Sequence, residues 1–330
     1  MEGDLVLRIV RTIVGCLGIV GNGLVCLVIA KVSVMRTVTN AFIFNQAVID
    51  LLASLSLIIS SNCFFVMPSD PALAVLYCYI WETGYYLWAF FVASSFNLAV
   101  LTLERYVAIV FPFKYVKLFG AKQVGLIIAS VWLTSVGYKA YLFTTREITD
   151  HKCLPRDVAA PELLGVATIC IEYFFPLVFM GFCYFRIILC LKRGAARIAQ
   201  QSSSPRHGGE SLRGSLVRAK RNTIKTLIMV FLSYMVCWSA NQIIYLMYNL
   251  GWPLDFTGTF YVFSVSLAAF NSCINPFIYS IKYRQFKRSA RILLMPCIPT
   301  RRNRIAVAST SLNIATRGRG GSRAVPNEPG

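Results

Sequence analysis

Seven stretches of predominantly apolar residues constrain this chain more than any other feature. They run Ile9–Ala30, Ala41–Met67, Leu76–Leu103, Val124–Phe143, Leu163–Leu191, Thr223–Leu250 and Thr257–Ile281. About 20 apolar residues in a helix cross the hydrocarbon core of a bilayer, and a helix satisfies its own backbone hydrogen-bonding groups where water cannot. The chain is 56% hydrophobic and only 14% charged, with a mean hydropathy of +0.61, too apolar for a water-soluble fold of this size. The fold these stretches predict is an all-α membrane protein, a bundle of seven transmembrane helices.

A net charge of +19 raises the question of nucleic acid, and the placement of the charge answers it. Most of the basic residues fall in segments 31–40, 104–122, 192–225 and 282–330. The alternate segments hold only Arg8, Arg11, Arg146, Lys152 and Arg156, while Lys139 and Arg186 lie inside spans. That asymmetry orients the amino terminus outside and the carboxyl terminus in the cytoplasm, and basic residues at the inner face suit anionic lipid, with no role for nucleic acid. A multi-pass protein of the plasma membrane is the expected location. Glu2 and Asp4 argue against a cleavable signal peptide, and the proposed outer segments carry no Asn-x-Ser/Thr acceptor.

Cys78 at the outer mouth of the third span and Cys153 in the second outer loop both face the oxidising side, where a disulfide between them is expected. From Tyr283 to Leu294, Phe286, Ile292 and Leu293 oppose Arg284, Lys287, Arg288 and Arg291, a pattern for an eighth, amphipathic helix lying on the cytoplasmic face. Cys297 follows it, either palmitoylated or a free thiol. The domain reading is 1–294 for the helical bundle and 295–330 for a disordered basic tail, in which Ser309, Thr310 and Ser311 offer phosphorylation sites for arrestin. The Ser-, Gly- and Arg-rich linker Gln201–Gly214 is also expected to be disordered.

Polar residues inside apolar helices are costly and mark function. Gly21-Asn22 lies in the first span, Asn45 to Leu51 with Asp50 in the second, Glu104-Arg105-Tyr106 closes the third, Trp132 marks the fourth, Pro176 and Tyr184 the fifth, Cys237-Trp238 the sixth, and Asn275-Pro276-Phe277-Ile278-Tyr279 the seventh. In this order the chain resembles the rhodopsin-like (class A) G-protein-coupled receptors over about residues 9–294. It departs from their pattern at Ala240, where a proline is usual, at Tyr234 and Ser95, and in placing Cys78 two residues further than usual from Arg105.

The resemblance implies three sites. Glu104, Arg105, Tyr106, Tyr184, Asn275, Pro276 and Tyr279 would form the cytoplasmic switch toward a heterotrimeric G protein, with Lys220 where many relatives place an acid that holds the arginine. Asp50, Ser94, Asn271, Ser272 and Asn275 would line a mid-bundle pocket for an allosteric sodium ion; the alternative is a hydrogen-bonded network around a protonated Asp50. Tyr86, Leu87, Phe91, Glu172, Trp238, Asn241, Gln242, Tyr245 and Tyr261 would line the outer ligand pocket, in an aromatic cup that also takes in Tyr85 and Trp88. Leu87 stands where amine receptors carry an aspartate and Ala269 where opsins carry the retinal lysine, which argues against both. Acidic Glu82, Glu147, Asp150, Glu162 and Asp255 around the outer rim suit a basic peptide. Glu172 either contacts the ligand or pairs structurally with Lys139.

The implied function is a receptor that passes the binding of an extracellular ligand, a peptide, to a G protein. The alternatives are a lipid or small-metabolite receptor of the same fold and a transporter, although repeat symmetry is not evident. No cofactor is required. An enzyme is disfavoured, since His151 and His207 are the only histidines and both lie in loops.

Overall fold

The computed structural model describes residues 2–63, 65–201, 210–255 and 258–294, apart from the side chains of 2–4, 195, 197–201 and 210–223. Among the described residues, seven helices are long and apolar enough to cross a membrane. They are α1 (Glu2–Lys31), α2 (Val38–Asn62), α3 (Tyr85–Val110), α4 (Ala121–Lys139), α5 (Pro161–Ile169 and Phe175–Gln201, joined by a π turn at Cys170–Phe174), α6 (Glu210–Asn249) and α7 (Thr259–Lys282). The amphipathic α8 covers Arg284–Leu294, with Phe286 and Ser289 buried. The described residues up to Ser289 form one compact unit, and the expected tail, 295–330, lies outside the described residues.

Helix ends follow local chemistry that hydropathy does not register. Thr37 caps α2, its side chain accepting from the Asn40 N–H at 3.3 Å, and α2 stops at Asn62, short of the expected Met67. The third span begins nine residues later than its apolar run. Asp70 and Pro71 start a short helix to Leu76, a π turn takes Tyr77–Glu82, and Gly84 at φ 62° breaks the chain before Tyr85. A left-handed residue of this kind favours glycine. α6 extends three turns into its polar end, from Glu210, and α5 reaches Gln201. Gln201 and Glu210–Gly214 of the expected disordered linker are therefore helical, and the remainder of that linker lies outside the described residues.

α1 packs on α2 and α7, α2 on α3, α3 on α4 and α5, and α6 on α7 and on the first segment of α5, which closes the bundle. Small residues permit the closest approaches. A Cβ at Gly18 of α1 would lie 2.0 Å from the Ser54 hydroxyl of α2, and one at Gly165 of α5 would lie 2.2 Å from Asn249 Cβ of α6. The usual distribution is inverted: Val20, Leu126, Leu133, Val178 and Phe260 are exposed, while Asn22, Asn45, Gln46, Asp50 and Asn97 are buried. A bilayer around the bundle accounts for both.

Outside the spans, β1 (Arg146–Thr149) and β2 (Lys152–Pro155) form a hairpin. Asp150 and His151 turn it, both at positive φ, as a two-residue hairpin loop of matching twist requires. Cys153 on β2 is bonded to Cys78 in the π turn, with Cα atoms 5.4 Å apart. The two additional residues between Cys78 and Arg105 are absorbed by the π turn and the Gly84 break, so the disulfide forms despite the unusual spacing.

Candidate ligand and signalling sites

In the middle of the bundle Asp50 is fully buried and collects donors from three helices. Ser94 Oγ donates to Oδ1 at 2.9 Å, while Gln46 Nε2 at 3.1 Å and Asn275 Nδ2 at 2.9 Å donate to Oδ2. Ser272 adds a further hydrogen bond, and the Asn22 amide donates to the Ser272 carbonyl at 2.8 Å. Of the expected set, Ser94, Ser272 and Asn275 bond Asp50, Asn271 is buried in the same helix as Asn275, and Gln46, outside that set, also receives from Asn97 Nδ2 at 2.8 Å. Asn97 in turn accepts from Asn45, and Asn45 from the Trp132 indole. Amides inside apolar spans were the available signal. Asn271 Oδ1 and Asn275 Oδ1 are buried without a partner. Unpartnered carbonyl oxygens beside a carboxylate are the donor set a hard monovalent cation prefers.

At the cytoplasmic end Glu104 is completely buried and takes both Arg105 Nε and Arg105 Nη2 on its two oxygens, a bidentate pair. Thr39 of α2 donates to the same carboxylate at 3.2 Å, and so does Tyr115 at 2.5 Å, from the short helix Pro112–Leu118. Burial and the Glu104 carboxylate push the Tyr115 hydroxyl upward, which keeps it a donor. Neither Thr39 nor Tyr115 was singled out in the sequence, because nothing in a loop tyrosine or a helix-start threonine marks a remote partner. Tyr184 accepts from Thr102 at 3.1 Å and donates to the Leu227 carbonyl at 3.2 Å. Tyr279 is buried with its hydroxyl unpartnered, above Pro276 in the same helix. Tyr106 packs edge-on against Phe111 at 5.7 Å. Arg105 is thus bonded to Glu104, with Tyr184 and Tyr279 engaged elsewhere or free. The Lys220 side chain and Cys297 lie outside the described residues.

The outer half of the bundle holds a cavity of about 710 Å³. Glu172, Asn241, Gln242, Tyr245 and Tyr261 line it as expected, and Arg146 and Arg156 stand toward the hairpin. Trp88 of the expected aromatic cup lines it too, and Tyr85, Tyr86, Leu87, Phe91 and Trp238 do not. Helical residues advance by about 100°, and Trp88 is the α3 residue that meets the cavity. Tyr86, on the opposite side, stacks on Trp81 at 5.4 Å. Leu87 is buried a third of a turn away. Phe91 lies a turn deeper, edge-on to Trp88 and to Trp238, both at 5.8 Å, so Phe91 and Trp238 form the packing beneath the floor. The five rim acids are not among the lining residues. Glu82 instead meets Arg146 at 4.0 Å and accepts from the Tyr77 hydroxyl at 3.3 Å.

Lys139 joins the lining. Its Nζ lies 2.5 Å from Glu172 Oε1, with both side chains at most 3% exposed, and it faces the rings of Trp88, Tyr138 and Tyr141 at 5.5, 5.7 and 5.4 Å. The pairing of Lys139 with Glu172 was one of two readings of Glu172; the cavity adds the other, since both residues line it. The π turn leaves the Glu172 carbonyl free for the Tyr234 hydroxyl of α6 at 2.8 Å. Tyr234, a departure from the family pattern, therefore ties α6 to the helix segment that carries Glu172.

Seven spans around a polar axis, with a cavity at one end and an arginine bonded to a buried carboxylate at the other, define a transmembrane receptor. The family profile "7 transmembrane receptor (rhodopsin family)" matches residues 21–279, and the chain belongs to that family, the class A G-protein-coupled receptors. Among curated relatives it is similar to an allatostatin-A receptor of Bombyx mori, 27% identical over 90% of this chain and 83% of that one. A somatostatin receptor type 5 of Bos taurus is 27% identical over 88% and 76%, and a trace amine-associated receptor 9 of Rattus norvegicus is 27% identical over 84% and 83%. The crystal structure of squid rhodopsin shares the fold, with a TM-score of 0.69 at 22% identity over 91% of this chain and 89% of that one.

Proposed function

We propose that this chain is a plasma-membrane receptor for an extracellular peptide and passes that binding to a heterotrimeric G protein at the Arg105 end. The observation that carries the reading is the outer cavity, which runs from the buried Lys139–Glu172 pair to Arg156 beside the β1–β2 hairpin and so suits a ligand longer than a small amine. Leu87 leaves α3 without a carboxylate for an amine, which favours the allatostatin-A and somatostatin receptors over the trace amine receptors as guides to ligand class. In the cytoplasmic half, release of Arg105 from Glu104 would free a guanidinium, permanently charged, for a partner protein. The basic inner segments orient the carboxyl terminus toward the cytoplasm.

A sodium ion would be held by Asp50 with Ser94, Asn271, Ser272 and Asn275, and the unpartnered oxygens of Asn271 and Asn275 fit it. Bound there, the ion would offset the buried carboxylate and hold α2, α3 and α7 in one arrangement. Arrestin binding at a phosphorylated tail is a further proposal, resting on Ser309, Thr310 and Ser311.

Cells expressing the chain are to be challenged with tissue extracts separated into peptide, lipid and small-metabolite fractions while a second messenger is recorded. A response to the peptide fraction that protease treatment removes supports the reading. A response confined to a protease-resistant fraction replaces it.

A further inference from the structure

The Lys139–Glu172 pair and Gln242, which line one cavity, carry an inference that rests on the peptide reading and names the group the peptide must present. Gln242 Oε1 lines the cavity, in a residue 2% exposed, and has no hydrogen-bond partner. A buried acceptor left unpaired costs free energy that a ligand donor would recover. Glu172 lines the same cavity, and the one ion-pair partner of its carboxylate among the described residues is Lys139.

The two halves of that ion pair are not equally dependent on each other. Lys139 faces three aromatic rings within 5.7 Å, and each such face attracts a cation, more strongly where water is excluded. Glu172 has the Tyr138 hydroxyl as a donor but no second cation or ring face to balance its charge. An entering carboxylate would take Lys139 and strand Glu172 without a countercharge, the costly outcome for a buried pair. An entering cation would take Glu172 and leave Lys139 among the rings, the less costly outcome. The cation that also satisfies Gln242 needs several N–H donors in one plane, and a guanidinium has five.

We propose that the cavity floor is a guanidinium subsite, in which an arginine side chain of the ligand bridges Glu172 and Gln242 while Lys139 withdraws onto Trp88, Tyr138 and Tyr141. The acidic residues of the outer segments, Glu82, Glu147, Asp150, Glu162 and Asp255, favour the approach of the same kind of peptide. The subsite lies on α5 and α6, away from the α3 position that serves amine receptors.

The test uses the full chain in lipid nanodiscs and three small probes, N-acetyl-arginine amide, its uncharged isostere N-acetyl-citrulline amide, and N-acetyl-glutamate amide, with binding read by saturation-transfer NMR. The arginine probe is expected to bind and the citrulline probe to bind at least about tenfold more weakly. Gln242→Leu removes an acceptor that has no partner in the free receptor, so it should fold normally while weakening the arginine probe about tenfold, the worth of a hydrogen bond to a charged group. Glu172→Gln should abolish its binding. Lys139→Gln, where it folds, should bind the arginine probe more tightly than the unaltered chain, because no cation has to be displaced. Equal binding of arginine and citrulline, tighter binding of the glutamate probe, or an unchanged affinity in Gln242→Leu would overturn the subsite. These outcomes are independent of signalling, so a receptor activated by peptides without arginine would sink this inference and leave the peptide reading intact.

Discussion

Replacing Glu104 with glutamine should raise ligand-free signalling, and the structure sets the scale. Glu104 is wholly buried and holds Arg105 through both oxygens, with Thr39 and Tyr115 donating to the same group. Glutamine keeps one carbonyl acceptor for the charged guanidinium, so one of the two charge-assisted bonds, about 1.5–3 kcal/mol, is lost together with the attraction between opposite charges. Arg105 is 19% exposed, so water recovers part of the difference and about 1–2 kcal/mol of bias toward the resting state is lost, a factor of about 5–30 in a two-state ratio. A receptor about 1% active at rest would become about 5–25% active. Basal nucleotide exchange on G protein should be compared at matched surface density for the unaltered chain, Glu104→Gln and Glu104→Gln with Arg105→Ala. The single substitution should raise exchange and the double should abolish it. An unchanged basal rate in Glu104→Gln at equal expression would refute the claim that this pair holds the resting state.

Three further predictions concern packing and the polar axis. Lys139→Gln should lower the thermal midpoint in detergent more than Glu172→Gln does, because a stranded carboxylate lacks the ring support that a stranded ammonium has; breaking a buried pair costs about 3–5 kcal/mol, and the double substitution should recover much of it. Asp50→Asn should remove the difference in thermal midpoint between sodium and choline buffers, whereas a persisting difference would place any sodium effect elsewhere. Gly18→Ala should destabilise by about 1–3 kcal/mol through the clash with Ser54, and a simultaneous Ser54→Gly, measured in the same melting assay, should relieve it.

The bundle was legible because each span is a long apolar run and because single polar residues, Asn22, Asp50, Arg105 and Asn275, stand out against it. The motifs on single helices stood out in the sequence, and Ser94, Ser272 and Asn275 do bond Asp50. What depended on helical phase was not legible. A break at Gly84 decides which face of α3 meets the cavity, so Trp88 lines it while Tyr86, Leu87 and Phe91 do not. The π turn at Cys170–Phe174 similarly presents Glu172 inward and its carbonyl to Tyr234, and residue types alone do not announce a π turn. Hydropathy stopped α6 at Thr223 because the polar turns from Glu210 carry no apolar signal. The rim acids were legible as charge but not as position, since the hairpin sets Arg146 and Arg156 at the cavity instead.

The central claim is that a peptide in the outer cavity drives nucleotide exchange through Arg105. The most direct measurement reconstitutes the purified chain with a heterotrimeric G protein in nanodiscs and follows nucleotide exchange as active peptide fractions are added, with Arg105→Ala and Glu172→Gln as parallel samples. The account predicts that exchange rises with peptide, that Arg105→Ala binds the peptide without exchange, and that Glu172→Gln requires far more peptide to reach the same rate. Full peptide-driven exchange in Arg105→Ala would contradict it.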